Sequence, residues 1–164
     1  MTTRIAITRR LLREACLEND IAIHAFVLMD NHVHLLLTPP GAEALAVAMR
    51  VVGQSYVQFF NYRHGQTGTL WQARLNSCSV EFDRYALMIC RYIELNPVRA
   101  AMVALPEDYR LSSVHSHIGE AHDPLIALLL TWLVPGATRE ERPIEYGRWP
   151  RAGMEGEEIS AIPS

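Results

Sequence analysis

The stretch Phe26-Val-Leu-Met-Asp-Asn-His-Val-His-Leu-Leu-Leu37 decides the fold. Residues two apart on a β-strand share a face, so His32 and His34 point one way and Val33 the other. Asp30-Asn31, between two apolar runs, is a two-residue hairpin signal that joins a strand over 21–29 to one over 32–38. In that register Met29 faces His32 and Val27 faces His34. His24 falls on the opposite face and is given no ligand role. Both faces are largely apolar, which predicts a central hairpin covered by helices on at least one side. Two imidazoles aimed at one point are expensive to bury and well placed to hold a metal ion. A His-x-His pair taken alone, however, is more often incidental than metal-binding.

Outward from the hairpin, residues 8–18 carry Leu11, Leu12, Ala15 and Cys16 at helical spacing. Pro39-Pro40-Gly41 closes the hairpin, and 43–61 forms a longer helix with Leu45, Met49, Val52, Tyr56 and Phe59 as its stripe. A loop at 65–68 leads to a strand expected over 75–80. Asp83 is suited to cap the next helix, where Tyr85, Met88, Ile89, Tyr92, Ile93 and Asn96 recur on one face. That face turns Tyr92 and Asn96 toward the sheet, four residues apart, although Pro97 disfavours helical geometry at Asn96. Two histidines, an amide and a tyrosine compose a metal-assisted nucleophilic site. Each also has a plainer reading: Tyr92 as a core tyrosine, Asn96 as a helix terminator. A short helix is expected at 124–134. The domain is drawn at 1–134, with an acidic Pro/Gly-rich tail at 135–164.

The chain has 164 residues and a net charge of −3. That length suits one domain and is too short for a TIM-barrel metallohydrolase, which needs roughly 250 residues. Residues 1–113 carry +1 and residues 114–164 carry −4, so the acidity belongs to the tail. All fifteen basic residues are arginine, a side chain suited to bidentate phosphate contact. Cys16, Cys78 and Cys90 lack paired metal spacing and read as reduced core residues. The arginine-rich start is not read as a signal peptide, and no apolar run approaches the roughly 20 residues that span a bilayer. The expected setting is cytoplasmic, with no membrane.

Four segments carry a resemblance: 26–36, Gly68-Thr-Leu-Trp-Gln-Ala-Arg74, Arg91-Tyr-Ile-Glu-Leu-Asn-Pro-Val-Arg-Ala100 and Pro106-Glu-Asp-Tyr-Arg-Leu-Ser-Ser113. Together and in this order they resemble the single-tyrosine HUH transposases, in the IS200-like branch associated with repetitive extragenic palindromes (REP). The resemblance implies an α+β, ferredoxin-like domain: an antiparallel sheet, a central His-x-His hairpin, and helices packed mainly on one face. It implies Tyr92 as nucleophile, and His32, His34 and Asn96 as ligands of Mg²⁺ or Mn²⁺. Ligand type alone would instead suggest zinc or another transition metal. The implied activity is metal-dependent nicking and strand transfer on single-stranded, hairpin-forming DNA through a 5′-phosphotyrosine. The alternative is a shortened, inactive relative that binds structured DNA. A metallohydrolase unrelated to DNA would need a general base, and no carboxylate stands at a suggestive spacing. Trp71 and Arg74 are candidates to stack on or pair with a base, with Trp71 equally suited to the core. Arg50, Arg63, Arg99 and Arg110 are candidate phosphate contacts, each equally suited to be a solvated surface charge. Relatives carry a strand before the first helix, and this chain is read as starting inside that helix region. The sheet is therefore expected to expose an edge that recruits a second copy as a homodimer, or that residues 1–7 cover as a substitute strand.

Overall fold

The computed structural model describes residues 2–69, 77, 79 and 82–127. Trp71, Arg74, Cys78, most of the strand expected at 75–80 and the tail at 135–164 lie outside the described residues. The described elements are α1 (Thr2–Glu18), β1 (Ala22–Leu28), β2 (Val33–Thr38), α2 (Ala42–His64), α3 (Phe82–Glu94) and α4 (Asn96–Arg99). A 3₁₀ turn (Pro106–Asp108) and α5 (Val114–His117) follow. They fall into two compact units. One comprises the described residues of Met1–Ala22 and Leu37–Ser77, the other those of Ile23–Leu36 and Cys78–Ser164.

In the first unit α1 packs on α2. Leu12, Ala15 and Cys16 are buried, as their spacing predicts. Burial pushes the Cys16 thiol up to about 11, so it stays a protonated, inert core group. α1 ends with Asp20 in the left-handed region, φ 54°, while the Ile21 N–H reaches back to Cys16 O at 2.9 Å. This six-to-one bond satisfies a carbonyl left over at the helix end. The helix starts at Thr2, so the substitute strand considered for residues 1–7 is not formed. Adding turns to an existing helix gains one hydrogen bond per residue, whereas a lone strand gains none without a partner. In α2 the fully buried residue is Ala48, and the expected stripe is only half-buried.

The second unit is built on the hairpin. β1 and β2 pair antiparallel, and the Met29 N–H donates to His32 O at 2.9 Å, closing the two-residue loop at Asp30-Asn31. Ala25 and Val27 of β1 and Met29 just past its end alternate along the chain, and together with Leu36 they bury one face against Ala86, Ile89, Cys90 and Ile93 of α3. Directly opposed residues of an antiparallel pair share a face, so His34, opposite Val27, lies on the α3 side. The edge of β1 away from β2 is covered from within the chain. Val27 bridges Ser112 antiparallel, Ile23 bridges Ile126 parallel, and the Leu28 and Ala127 N–H groups donate to Leu111 O and Ile23 O. Among the described residues no strand pairs with the outer edge of β2.

Three local expectations are corrected. α3 already includes Phe82, so Asp83 lies inside its first turn rather than capping it. Pro124 and Leu125 form a turn and Ile126 a bridge, so the helix expected from 124 does not begin there. Pro97 does not exclude Asn96 from a helix: a turn at Leu95, φ −81°, ψ −7°, separates α3 from α4, and bonds from Leu95 N to Arg91 O at 2.9 Å and from Arg99 N to Leu95 O at 3.0 Å link the two. Pro97 stands in the first turn of α4, where a missing N–H is tolerated.

Tyr109 is buried beneath the hairpin, and its hydroxyl donates to Leu28 O at 2.8 Å. Tyr109→Phe leaves that carbonyl without its partner and is expected to cost about 1–2 kcal/mol. Urea unfolding checks this as a lowered midpoint with an unchanged slope.

Candidate active site on the hairpin and α3

β2 supplies His34, half-buried, while His32 stands exposed at the exit of the turn, one residue before the strand. Their ring centroids lie 4.8 Å apart with planes at 89°. His32 Nδ1 donates to Asn31 Oδ1 at 2.6 Å, which assigns the lone pair to Nε2. Burial lowers the pKa of His34 below 6.5, and the neighbouring charge of His32 lowers it further. Both effects favour the neutral imidazole, the state in which it donates electrons.

α3 brings Tyr92 to the same place. Its ring meets that of His34 edge-on, with centroids 6.4 Å apart, and the Arg99 guanidinium lies 4.6 Å over the Tyr92 ring. Arg99 is exposed, so its charge stays available to solvent or to a phosphate. One turn past Tyr92, Asn96 Nδ2 donates to Tyr92 O at 2.9 Å and to Ile93 O at 3.3 Å. Pro97 has no N–H to offer Ile93 O, and the Asn96 amide substitutes for it. That bond engages the nitrogen and leaves Oδ1, the end with lone pairs, without backbone duty. Among the described residues no group of three His, Cys, Asp or Glu side chains is placed to hold a metal.

Arg50 and Arg63 are exposed on α2 in the first unit, and Arg110 is exposed in the second. His24 is buried, and its Nδ1 donates to Ala127 O at 2.8 Å. His115 pairs with Glu120 at 3.1 Å. His117, assigned no role by its spacing, is buried against Glu94. The signal for Glu94 was present in the sequence: it follows Ala86 and Cys90 at four-residue steps, a charge ending a buried apolar row.

Burial also holds the His24 pKa below 6.5. The bond to Ala127 opposes that shift and the charge of His117 adds to it. A histidine lowered in the folded state contributes stability that is present above its unfolded pKa and lost as pH falls through the folded value. The urea midpoint is therefore expected to drop between about pH 7 and about pH 5. His24→Gln should remove part of that drop.

The family model described as "Transposase IS200 like" matches residues 4–96. Among curated proteins none matches the chain. Among solved structures, a REP-associated tyrosine transposase bound to a REP hairpin is similar, with 20% identity and a TM-score of 0.61. The match covers 77% of this chain and 74% of that one. At that identity the likeness carries the fold. The family match spans more than half of the chain, including the hairpin and Tyr92. The chain belongs to the IS200-like transposase family.

Proposed function

We propose that this chain cuts and rejoins single-stranded, hairpin-forming DNA, with Tyr92 as the nucleophile. The observation that carries the reading is the meeting of the Tyr92 ring with His34, beside His32, under the exposed Arg99 guanidinium. In the reaction the Tyr92 hydroxyl gives up its proton and its oxygen bonds to phosphorus. The bond from phosphorus to the 3′ oxygen breaks, freeing a 3′-hydroxyl and leaving a 5′-phosphotyrosine. The covalent link keeps the bond energy, so a second strand's 3′-hydroxyl can reverse the step without a nucleotide cofactor. Arg99 stands where it can meet the charge that gathers on the phosphate oxygens.

His32 Nε2, His34 and Asn96 Oδ1 would hold a divalent cation, Mg²⁺ or Mn²⁺, leaving its other positions to water and phosphate oxygens. The spacing of the rings fits the histidine pair. Two imidazoles on one cation, with the nitrogen–metal distance of about 2.0–2.1 Å found for zinc as a guide, carry their centroids about 5 Å apart. When bound, the cation neutralises charge on the scissile phosphate. The hydrogen bond that Asn31 Oδ1 accepts from His32 Nδ1 is the kind of support that ligating histidines have.

A hairpin as substrate is supported by the similar REP-associated transposase, which is itself bound to one. The test is a labelled single-stranded hairpin incubated with protein and Mn²⁺, then resolved under denaturing conditions. A retarded, protease-sensitive adduct is the expected result. Hairpin binding with no adduct would overturn the enzymatic reading in favour of a binding module.

A further inference from the structure

The last turn of α3 carries a buried acid opposite the site. Glu94 is 0% exposed, and its Oε1 accepts hydrogen bonds from Ser113 Oγ and from His117 Nδ1, each at 2.6 Å. Ser113 Oγ also accepts the Phe26 N–H at 3.1 Å, and the Ser113 N–H donates to Phe26 O at 3.0 Å. One carboxyl group thus ties the end of α3 to α5 and, through Ser113, to the edge of β1 away from β2.

Burying a carboxyl group is costly unless its partners are fixed, and here all three participants are nearly inaccessible. Helical residues advance by about 100°, so Tyr92 and Asn96, two before and two after, each lie about 160° around the axis from Glu94. Holding Glu94 against one flank of β1 therefore turns Tyr92 and Asn96 to the other flank, where β2 presents His34. Leu95 forms a turn between α3 and α4, and the Asn96 side-chain bonds to Tyr92 O and Ile93 O tie Asn96 to the last turn of α3, so the roll set at Glu94 is passed on to it.

We propose that Glu94 is a positioning residue for the Tyr92 chemistry: anchored by Ser113 and His117, it fixes the roll of α3 that faces Tyr92 and Asn96 toward His34. This rests on the reading of Tyr92 as nucleophile. The anchor acts on orientation, so its loss should appear in the chemical step and spare hairpin binding.

The experiment compares wild type, Glu94→Ala, Glu94→Gln, Tyr92→Phe and a destabilising control in the other unit, Leu12→Ala, at a temperature where all are folded. Single-turnover adduct formation at saturating hairpin is expected to fall at least about 10-fold in Glu94→Ala, with hairpin Kd within about two-fold of wild type. Glu94→Gln retains an acceptor oxygen and is expected to stay within about three-fold of wild type. A wild-type rate in Glu94→Ala, an equal loss in Leu12→Ala, or a loss confined to Kd would each overturn the proposal. A second readout needs no activity. The His34 imidazole proton resonances carry a ring-current contribution from Tyr92, defined by the difference on Tyr92→Leu. In Glu94→Ala they should move in the same direction, and unmoved resonances would overturn the assigned role. An adduct that persists in Tyr92→Phe, or is absent from wild type, defeats the functional reading, and the His34 resonances then still decide the role of Glu94.

Discussion

Tyr92→Phe is expected to abolish the covalent protein–DNA adduct, a loss of at least about 10³-fold, because the variant has no attacking oxygen. The ring remains, so its packing beside His34 and beneath Arg99 persists, and hairpin affinity should stay within about two-fold. The contrast between lost adduct and kept affinity is what identifies a nucleophile. Tyr56→Phe and Tyr62→Phe, in the first unit, should form adduct at the wild-type rate. Mass spectrometry of the proteolysed wild-type adduct should place the nucleotide on the peptide containing Tyr92. A nucleotide found on another tyrosine would refute the assignment.

The paired variant His32→Ala/His34→Ala is expected to lose Mn²⁺-dependent cleavage by at least about 10²-fold, since the proposed cation site loses both imidazoles. Neither histidine belongs to the buried cluster that joins the hairpin to α3, so the fold should survive. Titrating Mn²⁺ and following its binding by paramagnetic relaxation separates this from a simple loss of rate. Wild type should bind and the paired variant should not. Full Mn²⁺ binding by the variant would exclude the two histidines as ligands. Arg99→Gln makes an instructive third case. It keeps a planar group near the ring but removes the charge, and should slow adduct formation more than it weakens Mn²⁺ binding.

The hairpin was legible because its evidence is local. Alternation, a two-residue loop and β-branched flanks all lie within a few residues, and they fixed the pairing of Met29 with His32. The approach of Tyr92 to His34 was legible as a shared helical face turned to a sheet. Other features were hidden for physical reasons. Pro97 signals a break, yet the Asn96 side chain supplies the donor that Pro97 lacks, a substitution that spacing rules do not weigh. The cover on the outer edge of β1 mixes backbone groups of 111–113 and 126–127 with the Ser113 and Tyr109 hydroxyls, all from segments far along the chain that no local pattern links to the strand. Glu94, Ser113 and His117 come from separate segments, and nothing in the order of residues announces that they converge.

The far-flung cover on β1 has a consequence during synthesis. Phe26 waits for Ser113, 87 residues later in the chain, and His24 waits for Ala127, 103 residues later. At roughly 5–20 residues added per second, the strand's outer backbone stays unprotected for several seconds or more after it leaves the ribosome. Through that interval a nascent hairpin rich in leucine and valine can pair with the same strand on a neighbouring polysome. Dense translation, where nascent copies of this strand stand close together, is therefore the condition under which this chain should be most prone to co-translational aggregation.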